Sequence, residues 1–331
     1  MGAPIIRYEA GQTAYPFEAI TDSGDNTKFQ ASFSPVSNAS GYEPKVAPYG
    51  LMTGGAITPH VDNNKVTVAA LTASMAGATV ADADGTVVVA SGAVTITRAA
   101  TNVSKVNSIT VDATGALAAV AGVDGASALF SETRGAAGGP PFIPVGSIEI
   151  GQVRTTTSTA AAVTSGQIYT VPGLHVERGD YPVSSINFAT GAVTFATALP
   201  TIHTGSVPKK VYMKGATPLF APIPQTSDWV PAEATYSISS TDTYDGPVGS
   251  ASSSLGQASF TAIMKDGITD SIISQRGKSI WVEFRPDRDK LLPKMLTQGI
   301  LGVSRTFPAG GGNFSASCTV TPSVQTVDVI A

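Results

Sequence analysis

The chain has 331 residues, of which 13% are charged, and its 20 basic and 24 acidic residues give a net charge of −4. Soluble domains average about 25% charged residues, and a chain this weakly acidic lacks the basic surface that binds nucleic-acid phosphates through counterion release. The 34 glycines, 22 prolines and many Ser, Thr and Ala side chains favour a surface that binds other protein surfaces, because ordering such short side chains costs little rotamer entropy.

Residues 1–59 alternate aromatic side chains with Gly, Pro, Asn and Asp, which predicts an extended arm that contributes the first strands. Such an arm either lies across a neighbouring molecule or folds back on its own domain, and the pattern leaves both possibilities open. The N-terminal residues lack a basic segment followed by an apolar run, so we expect no signal peptide and a product that folds in a cytoplasm. No apolar run is long and unbroken enough to predict a membrane span.

Residues 60–160 are dominated by Ala, Val, Thr and Gly, which predicts a compact β-rich module. Alternation at 64–68 and again at 94–97 predicts half-buried strands. Thr114-Gly115 and Asp124-Gly125 are typical of hairpin turns. The paired prolines at 140–141 end the module, because proline cannot donate a hydrogen bond within a central strand.

Residues 161–331 contain further strand patterns, at 185–195, 210–214, 235–241, 256–264, 278–285 and 314–320. Four prolines within 216–232 predict an extended linker there. Many short strands separated by turns predict a mainly β fold, an antiparallel sandwich or barrel with an additional β-rich module.

One helix is predicted near residues 289–298, where it would cover one face of the sheet. Its apolar stripe and intended core face would consist of Leu291, Leu292, Met295 and Leu296. Gly299 would end the helix. Pro293 is tolerated only in the first turn, so the helix is expected to begin late.

Charges of both signs crowd the residues just before this helix: Arg285, Asp287, Arg288, Asp289 and Lys290. These five side chains fit either a solvated helix start or candidate inter-subunit contacts that fix the register between copies of the chain. The sequence leaves the two interpretations open.

The residue types that carry catalysis are sparse, and we expect neither an enzyme nor a bound cofactor or metal. No GxSxG elbow and no GxxxxGK phosphate loop is present. His60, His175 and His203 lie far from each other and from Cys318 in sequence, so no local metal-binding motif exists. Residues 82–85 are better explained as a hairpin turn than as a calcium loop, because the distal carboxylate is missing. Cys318, the single cysteine, falls on the apolar side of its strand, which predicts an inert buried thiol.

The order of patterns in residues 254–331 resembles the major tail (tail tube) proteins of long-tailed, siphovirus-like bacteriophages. The resemblance lies in a long strand pair, the segment SIWVEFRP, the segment LLPKMLTQG and the closing CTVTPSVQTVDVI. The segments GLMTGGAITP, NNKVTVAALTA, GPPFIPVGSIEIGQVRT and INFATGAVTFATALP are also similar to segments of phage tail proteins.

The resemblance implies a virion protein, made in the host cytoplasm, whose β-sandwich tube domain with a flanking helix assembles into rings. Stacked rings would form the tail tube through which DNA is ejected, with tape-measure, tail-terminator and baseplate proteins as partners. The chain is longer than one tube domain needs. Residues 60–160 are therefore either an inserted decoration, which implies a six-fold ring, or a second tube-like half, which allows a three-fold ring with pseudo-six-fold symmetry. Residues 161–331 would form the tube sandwich. The alternatives are a fibre, decoration or other accessory virion protein, and, less favoured, a carbohydrate-binding β-protein.

Overall fold

A computed structural model describes residues 2–31, 33–75, 85–180, 183–207, 209–244 and 246–330. The chain divides into two compact units. Unit 1 comprises Met1–Ala14, Phe33–Pro44 and Gly215–Ala331, and unit 2 comprises Tyr15–Ser32 and Lys45–Lys214. Both predicted boundaries, after residue 59 and after residue 160, therefore fall inside unit 2.

The described residues form 24 strands. In chain order, the first twelve are β1 Ile5–Asp22, β2 Lys28–Gln30, β3 Lys45–Pro48, β4 Gly50–Gly54, β5 Ile57–Pro59, β6 Lys65–Val68, β7 Leu71–Ser74, β8 Thr86–Val89, β9 Gly92–Thr95, β10 Lys105–Asp112, β11 Leu117–Ala121 and β12 Ser147–Thr155. The second twelve are β13 Ile168–Tyr169, β14 Ser184–Asn187, β15 Ala192–Phe195, β16 Val211–Ile223, β17 Thr226–Val230, β18 Ala234–Thr243, β19 Gly246–Leu255, β20 Ala258–Ile263, β21 Ser279–Arg285, β22 Lys294–Thr306, β23 Ser315–Pro322 and β24 Val327–Val329.

The predicted mainly β class is confirmed, since strands make up 50% of the residues and helical turns 3%. The strands whose register is described pair antiparallel. The helical content is three short 3₁₀ turns, Ser165–Gln167, Thr204–Ser206 and Ser271–Gln275. No helix among the described residues is long and apolar enough to cross a bilayer.

The strands of unit 1 pair in the order β16-β1-β21-β22-β23-β20-β17, which is part of a twelve-stranded sheet, and β24 pairs with β22. Alternation places Ile280 and Val282 of β21 on the same face as Cys318 of β23, and these side chains form the core together with Phe260. The predicted burial of Cys318 is confirmed. The first and last strands of this order, β16 and β17, are separated by only two residues in the chain.

Unit 2 contains several smaller sheets around its own core. A four-stranded sheet has the order β11-β10-β12-β13, and two three-stranded sheets have the orders β4-β7-β8 and β5-β6-β9. The predicted strands at 64–68 and 94–97 correspond to β6 and β9, which pair with each other. The predicted hairpin at 185–195 is the pair β14-β15. Buried Val, Ile and Leu side chains from most of these strands fill the core.

The predicted helix near 289–298 is wrong, because this part of the chain leads into β22, which begins at Lys294. Pro293 lacks the N–H that a helix interior requires, so a helix starting there would be too short to be stable alone. As a strand, the same residues gain backbone hydrogen bonds from β21 on one side and β24 on the other. The predicted apolar stripe is consequently divided: Leu296 is 1% exposed, whereas Leu291 is 74% exposed.

The predicted linker over 216–232 is also wrong, because β16 continues to Ile223 and β17 follows. Ala216 and Ile223 are buried. The prolines do not prevent this arrangement, since proline is compatible with a strand wherever its missing N–H faces no partner.

Two substitutions distinguish the observed strand β22 from the predicted helix. Leu296→Asp is expected to lower the free energy of unfolding by at least about 3 kcal/mol, because it places a charge at a fully buried position. Leu291→Asp, which belongs to the same stripe of the predicted helix, should change it by less than about 0.5 kcal/mol. Chemical denaturation measures both values, and equal losses for the two variants would contradict the strand.

Candidate functional site

A two-stranded ribbon, residues Ala234–Leu255, is formed by β18 and β19 of unit 1. The strands pair along their whole length, from Ala234 opposite Leu255 to Thr243 opposite Gly246. Ten residues at about 3.3 Å each make the ribbon about 33 Å long. Neither strand pairs with any other strand of the described structure. Both outer edges of the ribbon therefore carry backbone groups without a strand partner.

The two faces of the ribbon differ in chemistry because side chains alternate along a strand. One face is a ladder of hydroxyl groups, in which Thr235 faces Ser254 at 2.9 Å, and Ser237 faces Ser252 and Ser239 faces Ser250 at 2.8 Å each. The opposite face, called the apolar face below for its side chains Tyr236, Ile238, Ala251 and Leu255, also carries Ser240 and Ser253.

The apolar face of the ribbon is open to solvent. Tyr236 is 77% exposed and Ile238 is 82% exposed. An isolated two-stranded hairpin is marginally stable in water and needs a further strand or a packed face to persist. The ribbon is therefore the part of unit 1 that another protein surface would stabilise most.

A groove of about 700 Å³ lies beside β17, the strand that precedes the ribbon in the chain. One wall is formed by residues 226–229 of β17, and the other by residues near the start of β1 and the end of β16. β17 pairs only with β20 and is the last strand in its sheet, so its outer edge is unpaired in the described structure. The lining residues are Ala3, Pro4, Ile5, Ile6, Pro222, Ile223, Pro224, Gln225, Thr226, Ser227, Asp228, Trp229, Phe284 and Arg288.

The floor of the groove is aromatic. Trp229 stacks on Phe284 with ring centroids 5.7 Å apart and an angle of 5° between the ring planes. The carboxylate of Asp228 accepts a hydrogen bond from the Ser227 hydroxyl at 2.7 Å. The guanidinium of Arg288 has no partner among the described residues, so Asp228 and Arg288 give the groove one charge of each sign.

The five charged residues predicted as inter-subunit contacts do not act as one group. Arg285 and Asp287 have internal roles, since Arg285 Nε donates to Glu283 and Asp287 Oδ1 accepts from the backbone N–H of Gly2. Arg288, Asp289 and Lys290 are exposed. Arg288 lines the groove, which leaves these three side chains as the ones available for contact with another molecule.

Glu283 is a buried carboxylate surrounded by three cations of unit 1. Its Oε1 accepts from Arg285 Nε at 2.7 Å and from Arg7 Nη1 at 3.0 Å, and its Oε2 accepts from Lys294 Nζ at 3.2 Å. Burial raises the pKa of Glu283, but the hydrogen bond from Arg285 and the charge of Lys294 outweigh burial, so that this pKa lies below its ordinary value.

A second buried carboxylate, Glu9, binds the segment 33–44 to the sheet of unit 1. Its Oε1 accepts from Ser37 Oγ at 2.5 Å, and its Oε2 accepts from the backbone N–H of Trp281 at 2.9 Å. Trp281 is itself buried and donates its indole N–H to the carbonyl of Val36 at 2.7 Å. These charged and polar groups lie on the face of the sheet opposite the apolar core, and their contacts hold that face together.

Unit 2 contains another buried acid cluster that the sequence analysis did not single out. Arg134 Nη2 donates to Glu149 Oε2 at 2.5 Å, and Lys209 Nζ lies 2.8 Å from Glu177 Oε1. The backbone N–H of Glu149 donates to Glu177 Oε2 at 2.7 Å. Burial raises the pKa of Glu149. The four side chains line a cavity of about 340 Å³, but each charge already has a partner within the unit.

The histidines and the cysteine have separate surroundings. His175 and His203 are buried, and each makes a hydrogen bond with nearby backbone, His175 Nδ1 with Val171 N–H and His203 Nε2 with the Ser147 carbonyl. Burial raises the pKa of Cys318 to about 12. Among the described residues, no group of three or more His, Cys, Asp or Glu side chains is arranged to hold a metal. Asp82 and Asp84 of the considered calcium loop lie outside the described residues.

Comparison with known proteins gives no relative: no protein-family model matches the chain, and no curated protein is similar to it.

The ribbon and the groove were not predicted as a site, although part of the signal is in the sequence. Ser and Thr alternate at 235–241 and return at 250–254, with Asp245-Gly246 between them, a pair typical of hairpin turns. The groove leaves no such local pattern, because residues 222–229 meet residues 3–6, Phe284 and Arg288, which lie far from them in the chain.

The Glu283 cluster gives a prediction on stability. Glu283→Gln is expected to lower the free energy of unfolding at pH 7 by about 3 kcal/mol, because the cations lose their buried counter-charge. Since the native pKa of Glu283 is depressed, its stabilisation is complete above the unfolded-state value of about 4.3 and is lost as the pH falls through the native pKa. The difference between wild type and variant should therefore narrow in acid.

Urea titrations from pH 7 down to pH 3 measure this difference. Asp62→Asn is the matched control, because Asp62 pairs with Lys65 at 2.8 Å and the two side chains are 54% and 37% exposed, and an exposed pair contributes at most about 1 kcal/mol. A loss for Glu283→Gln that is as small as the control, or that does not change with pH, would contradict the assignment.

Proposed function

We propose that this chain is a structural virion protein that oligomerises into stacked rings and forms the tail tube of a long-tailed bacteriophage. In this proposal the tube is the conduit through which DNA leaves the particle. The protein works by the shape of its assembly and performs no catalysis. The sequence resemblance described above motivates the proposal, and the ribbon is the structural observation that carries it.

The ribbon supports assembly because it is a preformed sheet fragment with two unpaired edges and an exposed apolar face. Exposed edges of this length would cause uncontrolled aggregation unless another strand covers them. A closed ring of identical subunits covers every such edge once, which a monomer cannot do. We infer that ribbons of neighbouring copies are brought into one closed arrangement.

The strand order of unit 1 supports the finer fold that this proposal requires, a sandwich or barrel domain. Five strands lie between β16 and β17 in the pairing order, and only residues 224 and 225 separate these two strands in the chain. A two-residue connection between strands so far apart in the pairing order favours a sheet that curves back on itself. We propose that unit 1 is the wall of the tube and that unit 2 is the additional module.

The chemistry of the ribbon supports passage of a polyanion. Residues 234–255 contain no Lys or Arg, and their charged residues are Asp242 and Asp245. A face of hydroxyl groups has no cations that could displace counterions from phosphates, so DNA would not be retained on it. We propose that the hydroxyl face of the ribbon lies toward the lumen.

Electron microscopy of the purified protein tests the proposal directly. Negatively stained samples at high concentration should contain rings or tubes with a uniform central bore. Compact trimers or knobs without a bore would favour the accessory virion protein, and a monodisperse monomer at all concentrations would refute assembly altogether.

A substitution in the ribbon gives a sharper prediction. Ile238→Asp should raise the concentration needed for assembly at least about tenfold, corresponding to about 1.4 kcal/mol per contact, because it puts a charge into the face that the neighbour covers. Sedimentation velocity over a concentration series measures this midpoint, and circular dichroism checks that the fold is retained.

The control for this variant is Leu129→Asp. Leu129 lies in unit 2 and is 82% exposed, as is Ile238, so the chemical change and the loss of apolar surface are matched. Equal assembly midpoints for wild type and both variants would exclude the ribbon as the contact.

A further inference from the structure

The outer edge of β17 and the ribbon that follows it both lack a strand partner. β17 has an unpaired outer edge facing an apolar groove, and the ribbon has unpaired edges and an exposed apolar face. They cannot be treated as one continuous sheet, because β17 pairs with β20 and the ribbon strands pair only with each other. Each therefore needs a strand from elsewhere.

The groove stays open for an identifiable reason. Its wall opposite β17 carries Pro4, Pro222 and Pro224, and proline has no N–H to donate to a neighbouring strand. The ends of β1 and β16 are thus poorly able to pair with β17 across the gap. The groove therefore has one hydrogen-bonding wall, the edge of β17, and one apolar wall.

An extended peptide fits such a groove by strand addition. Its backbone pairs with the free strand edge, and its alternate side chains contact the apolar wall. β18 carries the required pattern, with Tyr236 and Ile238 on one face and Ser or Thr between them. Edge and apolar face therefore match.

The geometry points to a head-to-tail contact between copies of this chain, in which β18 of one copy adds to the edge of β17 in the groove of the next copy. This inference rests on the proposed assembly and names the segment and the surface that would form its contact. Because the two surfaces are different, the contact is heterologous, and repetition around an axis closes a ring.

The irregularity in β17 makes the contact selective. The register of β17 against β20 shifts between Ser227 and Val230, and Asp228 has a left-handed φ of 59°. A bulge of this kind twists an edge strand and discourages pairing with an arbitrary partner. We expect only a strand with the matching register to add there.

Cross-linking of two single-cysteine variants tests the contact. Ser237→Cys lies on β18 and Ser227→Cys lies on β17, and both positions are exposed within one copy. The variants are mixed in equal amounts, allowed to assemble and treated with a short bis-maleimide. Native Cys318 is fully buried, so wild-type protein serves as the background.

A covalent dimer is expected in the mixture at a yield at least ten times that of either variant alone. The matched control replaces Ser237→Cys with Ser165→Cys, an exposed serine of unit 2, and its mixture with Ser227→Cys should give only the background yield. The dimer in the test mixture must also disappear below the assembly concentration.

Two other outcomes overturn the inference. A strong dimer from Ser237→Cys alone means that ribbons pair with each other, and tubes without any cross-link mean that another surface makes the contact. In both of these cases the proposed tail-tube function stands. Absence of rings and tubes in the microscope at every concentration, for wild type as well, refutes the proposed function and this contact together.

Discussion

Unpaired strand edges are the constraint on which the architecture of unit 1 depends. Every strand offers backbone donors and acceptors on two sides, and burial without a partner costs about as much as a lost hydrogen bond. From β16 to β20 each strand of the seven-stranded order has a neighbour, whereas β17 and the ribbon keep open edges. These open edges are the positions at which a further strand could pair.

Buried charges set the second constraint, because a carboxylate removed from water must be matched by donors. Glu283 meets three cations, and Glu9 meets a hydroxyl group and a backbone N–H. Unit 2 repeats the arrangement with Glu149 and Arg134. Both units thus hold a polar layer against a sheet whose other face is apolar.

Local alternation predicted strands well, because a half-buried strand shows its period within a few residues. β6, β21 and β23 are examples, and the burial of Cys318 followed from the same period. The prediction of a helix near 289–298 was wrong because the segment LLPKML fits both the helical and the strand period. Only pairing with β21 and β24 decides between the two. Arg285 and Asp287 were candidate contacts, but Arg285 binds Glu283 two residues away and Asp287 binds the backbone of Gly2, 285 residues away. The groove likewise forms only where residues 222–229 meet residues 3–6, which are distant in sequence.

The hydroxyl ladder of the ribbon has a consequence for its behaviour in different solutions. Ser and Thr hydroxyl groups neither titrate in the physiological range nor carry a charge that salt can screen. Each hydroxyl can also reverse its role between donor and acceptor by rotation alone. A surface of this kind keeps the same chemistry in dilute medium and in concentrated electrolyte, and the proposed role in a virion would require that property.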